Sequence, residues 1–175
     1  MSLPALATPA QLAAWLQTTE AELPANASAV LDMVSAIVRA EARQNFGRAQ
    51  TTVTLYPADG YVTLPQRPVV SVDSVTRNGA PFADFQLRGD RLHLNGCEPV
   101  SATYTAGYLV TPGDVLAVVL TAAQRVLSNP NDLRQETVGS VSVTYAAETI
   151  GASLAPADKD LLARYRRRVA VVRTV

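Results

Sequence analysis

The sequence predicts an α+β fold: a helical core of about four helices, an inserted antiparallel β subdomain and an extended arm. Capped stretches with helical periodicity occupy both ends of the chain. Alternation with period two occupies Gln50 to Tyr108, and a further alternating stretch, Val138 to Tyr145, stands apart from it. The expected division is a core of 1–49 and 106–175, carrying an arm at 134–153 and a tail at 169–175, with 50–105 as the β insertion.

The first helix is expected over Thr8 to Thr18. Thr8 can cap, Pro9 fits the first helical position, Gln11 completes a capping box, and Leu12, Trp15 and Leu16 share a face. It is too short to persist alone in water, so it must dock, with Trp15 as the anchor. A longer helix follows Pro24. Val30, Val34, Ile37 and Val38 recur at helical spacing, Ala42 and Phe46 extend the face, and Gly47 supplies a stop.

Six runs in the insertion read as strands: 52–56, 61–64, 69–75, 85–87, 92–94 and 100–105. Asn78-Gly79 suits a type I′ turn and Gly89-Asp90 a type II′ turn, so a meander of about five or six strands is expected. Val75 is out of phase with Val70 and Val72, which predicts a bulge near Asp73-Ser74.

Thr111 to Asn129 is the stretch around which the rest is organised. Thr111 can cap, Pro112 fits the first position and Asp114 complements the positive helix end. From Val115 to Leu120 every residue is apolar, and Thr121, Gln124 and Arg125 leave only a narrow polar stripe. Such a helix must be covered on most sides. Its apolar run is far short of the about 20 residues a membrane span needs.

Beyond Asn129-Pro130, Val141, Val143 and Tyr145 alternate on one face with no adjacent segment read as a hairpin partner. A lone strand does not persist in water, so the stretch either joins the edge of the inserted sheet or pairs with another chain. The last helix, Ala157 to Arg168, turns Leu161, Leu162 and Tyr165 inward. Asp158 and Asp160 lie at its positive end, and Arg164 and Arg166 to Arg168 at its negative end. Val169 to Val175 is apolar and too short to fold alone, hence frayed or docked on a partner.

The composition excludes several classes. The 175 residues carry a formal net charge of zero, which argues against a whole-chain nucleic-acid or anionic-membrane binder. The single Cys97 rules out an intramolecular disulfide and a cysteine-rich zinc site. MSLPALATPAQL lacks a basic leader region, so a cytoplasmic start is expected. No phosphate loop, dinucleotide fingerprint or HExxH is present. The only histidine, His93, alternates with Leu92 and Leu94 and belongs to the polar face of a strand. Catalytic residues, cofactor and metal are therefore expected to be none, and the chain is not expected to be an enzyme. Arg88-Gly89-Asp90 is a hairpin turn rather than an adhesion signal, and Asn26-Ala27-Ser28 has no meaning as a glycosylation acceptor without a secretory route. The arginines at 164 and 166–168 complement a helix end, or else meet phosphates or an acidic partner.

The order of parts, the segment Glu136-Thr137-Val138-Gly139-Ser140-Val141-Ser142-Val143-Thr144-Tyr145 and the later Leu161-Leu162-Ala163-Arg164-Tyr165-Arg166 resemble head-tail connector (adaptor) proteins of long-tailed bacteriophages and prophages. The resemblance implies a ring, usually of about twelve copies, beneath the portal protein at the capsid vertex, with genome DNA passing through its channel unread. Implied partners are the portal protein, neighbouring copies and the next neck or tail-completion protein, with no membrane; the implied location is the virion neck, after assembly in the host cytoplasm. Carried over by position, Glu136, Val138, Gly139, Val141, Val143 and Tyr145 form the arm contacting a neighbour or the next ring. Arg166, Arg167, Arg168, Val169, Val171, Val172 and Val175 form the tail docked on the portal. The helical members of that family lack an insertion as large as Gln50 to Tyr108. The alternative is a small ligand- or carbohydrate-binding module using the polar face near Arg91, His93 and Asn95.

Overall fold

A computed structural model describes residues 3–129, 135–138, 141–144 and 153–166. The chain divides into two compact units: Met1–Gln44 with Thr111–Val175, and Asn45–Val110. No helix among the described residues is long and apolar enough to cross a membrane.

In the helical unit, α1 (Pro9–Leu16) starts as its sequence dictates. The Thr8 hydroxyl accepts from the Gln11 amide at 3.2 Å and the Gln11 side chain accepts from the Thr8 amide at 2.9 Å. Leu12 and Ala13 are its buried residues. Trp15, the expected anchor, is 45% exposed and donates its indole N–H to Gln124 at 2.9 Å. Its ring thus meets the polar stripe of a neighbouring helix, and the aliphatic Leu12 does the docking.

Helix α2 (Ala27–Ala42) buries Val30, Leu31, Val34, Ser35, Val38 and Ala42. It stops four residues before Phe46, because Arg43 turns into the left-handed region at φ 53° and its amide closes back on Ala40 and Arg39. Phe46 keeps the apolar spacing and is buried, but it lies past the helix, in the β unit of the chain.

Helix α3 (Gly113–Ser128) packs against α1, α2 and the last helix, α4 (Pro156–Ala163). Val115, Val118, Val119, Leu120, Ala122 and Ala123 are buried, and none of its large apolar residues is exposed. The nearly all-round apolar helix is thus covered within the chain. Pro112 occupies the cap position rather than the first turn, and the Thr111 hydroxyl does not cap; it donates to the Leu6 carbonyl at 2.9 Å. The Leu6 amide in turn donates to the buried Ser35 hydroxyl at 2.9 Å, so the segment before α1 is tied to both long helices.

In the β unit, β1 (Ala49–Leu55), β3 (Val69–Arg77), β4 (Ala80–Pro81) and β7 (Val100–Ala106) form one sheet in the order β1-β7-β3-β4. β2 (Tyr61–Thr63), β5 (Phe85–Arg88) and β6 (Arg91–Leu94) form a second in the order β2-β6-β5. The expected meander is corrected by β7, which runs between β1 and β3 and makes the pairing non-local. Val62, Leu64, Val75, Leu92, Leu94, Val100, Ala102, Tyr104 and Ala106 from the two sheets form one core. Along β7 the alternation is complete, with Val100, Ala102, Tyr104 and Ala106 buried.

The bulge expected at Asp73-Ser74 is present as a register shift between Val72 and Ser74, and a second lies between Val69 and Ser71. Asp73 accepts from Gln50, Ser71 and Thr105, at 2.9, 2.9 and 3.1 Å. These donors, Gln50 foremost, hold its carboxyl below the ordinary range. The turn at Asn78-Gly79 has positive φ at both residues, as type I′ requires, and Gly89 takes the positive φ of its turn.

The two ends of the β unit are laced together. Tyr108 donates to the Phe46 carbonyl at 2.7 Å and accepts from the Arg48 amide at 3.0 Å. Gly107 makes this possible, with φ +105° and a position where a Cβ would fall 2.3 Å from the Gly47 carbonyl oxygen.

Candidate assembly surfaces

The arm stretch is a hairpin in its own right. β8 (Gln135–Val138) pairs antiparallel with β9 (Val141–Thr144), placing Glu136 opposite Val143 and Val138 opposite Val141, and the ribbon joins neither of the other sheets. This overturns the expectation of one unpartnered strand from Val138 to Tyr145. Gln135 to Val138 supplies the missing partner, and Gly139-Ser140 is the residue pair a two-residue connection favours. The sequence did not announce it, because Gln135 to Thr137 is polar and Val138 is out of phase with Val141 and Val143. Gly139 and Tyr145 lie outside the described residues. A two-stranded ribbon is marginal by itself in water.

The arginines after α4 divide into two groups. Arg164 pairs with Asp114 at 2.5 Å, and Tyr165 donates its hydroxyl to the same carboxylate at 2.8 Å. Burial is the largest cause of the Tyr165 hydroxyl's raised pKa. Arg166 pairs with the Glu41 carboxylate and donates to the Glu41 carbonyl at 2.8 Å. The first two arginines therefore fasten α4 to α3 and α2. Arg167, Arg168, Val169, Val171, Val172 and Val175 lie outside the described residues.

A third pair escaped the sequence reading. Asp158, 7% exposed, accepts from the Ala155 amide at 3.1 Å as a helix cap and from Arg125 at 2.5 Å. Nothing in the local pattern joins positions 33 residues apart.

The polar face of the second sheet is engaged internally. Arg91 stacks over Tyr61 at 4.9 Å, Tyr61 and His93 rings are 6.0 Å apart, and Asn95 donates to Asp84 at 2.9 Å. His93, Asn95, Asp84 and Gln86 line an open depression. His93 alternates with the buried Leu92 and Leu94, as expected for a sheet residue. Among the described residues no group of three His, Cys, Asp or Glu side chains could hold a metal ion. Exposed apolar side chains in the β unit include the consecutive Leu109 and Val110, 78% and 75% exposed, and Tyr56 at 77%.

No protein-family model and no curated protein matches the chain. Among solved structures, it is similar to a chain from the neck of the empty GTA particle computed with C6 symmetry. The TM-score there is 0.64 at 17% identity, over 98% of this chain and 95% of that one. A chain from the neck of the native GTA particle computed with C12 symmetry gives 0.57 at 18% identity, over 98% of both. A chain from the virion of the native gene transfer agent (GTA) particle gives 0.58 at 19% identity, over 94% and 89%. The fold, including both units, is shared with chains of these particles.

Proposed function

We propose that this protein is a structural component of the neck of a tailed, phage-like particle. It forms a ring below the portal, joins capsid to tail and extends the channel for DNA. The observation that carries this reading is the likeness to neck chains across 98% of this chain, with the β insertion included. The C6 and C12 symmetry of those particles supports a ring of identical copies closed by rotation.

The hairpin 135–144 acts as the inter-subunit or neck-contact arm, with Glu136, Val138, Gly139, Val141, Val143 and Tyr145 in that role. The docking tail begins after the Arg166–Glu41 tie, leaving Arg167, Arg168, Val169, Val171, Val172 and Val175 for the portal. A net charge of zero suits a conduit that must let DNA slide. The role is mechanical rather than catalytic.

The test is co-purification with a portal protein. The full chain is expected to bind as a ring, and truncation of residues 167–175 to abolish binding while leaving the thermal midpoint within about 2 °C. A truncated chain that binds as well as the parent removes the tail from the reading.

A further inference from the structure

Every sheet edge in the β unit but one is blunted. β4 is two residues long, contains Pro81 and covers only Thr76 and Arg77 of β3, whose remaining edge carries Asp73 and is broken by register shifts between Val69 and Ser71 and between Val72 and Ser74; β2 is three residues, and β5 is four residues ending in Arg88. β1 is different. It forms the outer edge of its sheet over seven residues, Ala49-Gln50-Thr51-Thr52-Val53-Thr54-Leu55, in unbroken register with β7. It contains no charge, no proline and no bulge, three of the devices by which monomeric proteins discourage strand addition.

The chain also holds a strand in need of a neighbour. β9, Val141-Ser142-Val143-Thr144, is uncharged and lies in a ribbon of only two strands. Val138 and Val141 flank the two-residue connection and form the hydrogen-bonded pair, so the next pair, Thr137 and Ser142, points its main-chain groups outward. The amides of Ser142 and Thr144 thus face the open side of β9.

We propose that β9 of one copy adds to the β1 edge of the next, making a continuous sheet across the subunit boundary. The inference rests on the ring reading above and names the contact that closes it. Because donor and acceptor edges differ, the contact is head-to-tail and propagates to closure, as a ring requires. It also gives the ribbon its third strand.

Two variants test it. Thr54→Lys places a charge at an exposed position of the β1 edge. Ser142→Pro removes an outward amide of β9 without touching the hairpin's own ladder. With circular dichroism confirming both folds, each variant alone is expected to stay monomeric by light scattering. Mixed one to one they are expected to form a dimer that grows no further, since one keeps an intact β9 and the other an intact β1. In the unmutated chain, amides of Ala49–Leu55 and Val141–Thr144 are expected to exchange about tenfold more slowly in the assembly than in the dissociated protein. Ser142→Pro associating by itself would mean that β1 pairs with β1 and overturns the proposal. So would rings from both variants alone, or protection of only one of the two strands. An unmutated chain that stays monomeric with and without portal overturns the ring reading as well.

Discussion

In the helical unit one helix, Gly113–Ser128, is surrounded by three others, and charged pairs fasten its covering. In the β unit the core is wholly aliphatic and aromatic, the main-chain ladder does the fastening, and the long β1 edge has no charge, proline or bulge. A helix satisfies its own backbone, so its unit can complete itself; a sheet always ends in unpaired groups. The comparison teaches where association belongs. The covering that the apolar helix requires comes from α1, α2 and α4 of the same chain. The proposed contact between copies therefore uses the β1 edge and the hairpin ribbon.

The largest effect should come from breaking the β unit at its base. Gly107→Val combines a positive φ with a backbone clash at Gly47, and a loss of about 4 kcal/mol or more is expected in denaturant unfolding. Amide protection should collapse across Asn45–Val110 while persisting in α2 and α3; uniform loss would mean that the two units do not fold separately.

Leu12→Ala should cost about 3 kcal/mol, because Leu12 is fully buried in α1, whereas Trp15→Ala should cost about 1 kcal/mol despite the larger side chain. Equal losses would restore Trp15 as the anchor. Asp158→Asn should cost about 2 kcal/mol by weakening the cap of α4 and leaving Arg125 without its partner, and this loss should be confined to the helical unit.

The smallest effect is electrostatic. Glu22 is fully exposed, and hydrogen bonds from Thr18 and from the Thr19 amide and hydroxyl lower its pKa from 4.5 to about 2. A depressed acid stabilises the fold above its unfolded pKa and loses that contribution as pH falls through the folded value. An NMR titration should therefore find Glu22 still ionised at pH 3, and Thr19→Ala should raise its midpoint; an unchanged midpoint would discard the turn as its cause.

The kinds of element were legible in the sequence because capping and period are local. Thr8 with Gln11 wrote the start of α1, and Asn78-Gly79 wrote a hairpin. Neighbours were not legible. Alternation assigns Val100 to Ala106 a buried face, but nothing in it says that the strand lies between Ala49–Leu55 and Val69–Arg77. Apolar spacing carried the second helix on to Phe46, since a left-handed Arg43 leaves no mark on hydrophobic pattern. The arm was half legible: its strand was recognised, and its partner was missed because Gln135 to Thr137 is polar and shows no apolar alternation. The ties of Arg164 and Arg166 to Asp114 and Glu41 depend on three helices meeting and could not be read from a charge run.

The central claim is that identical copies close into a ring through surfaces each copy cannot satisfy alone. Native mass spectrometry of the full chain bound to a portal protein tests it most directly. A closed assembly whose copy number is a multiple of six is predicted, in keeping with neck particles of C6 and C12 symmetry. A single copy per complex, or no complex, would contradict it.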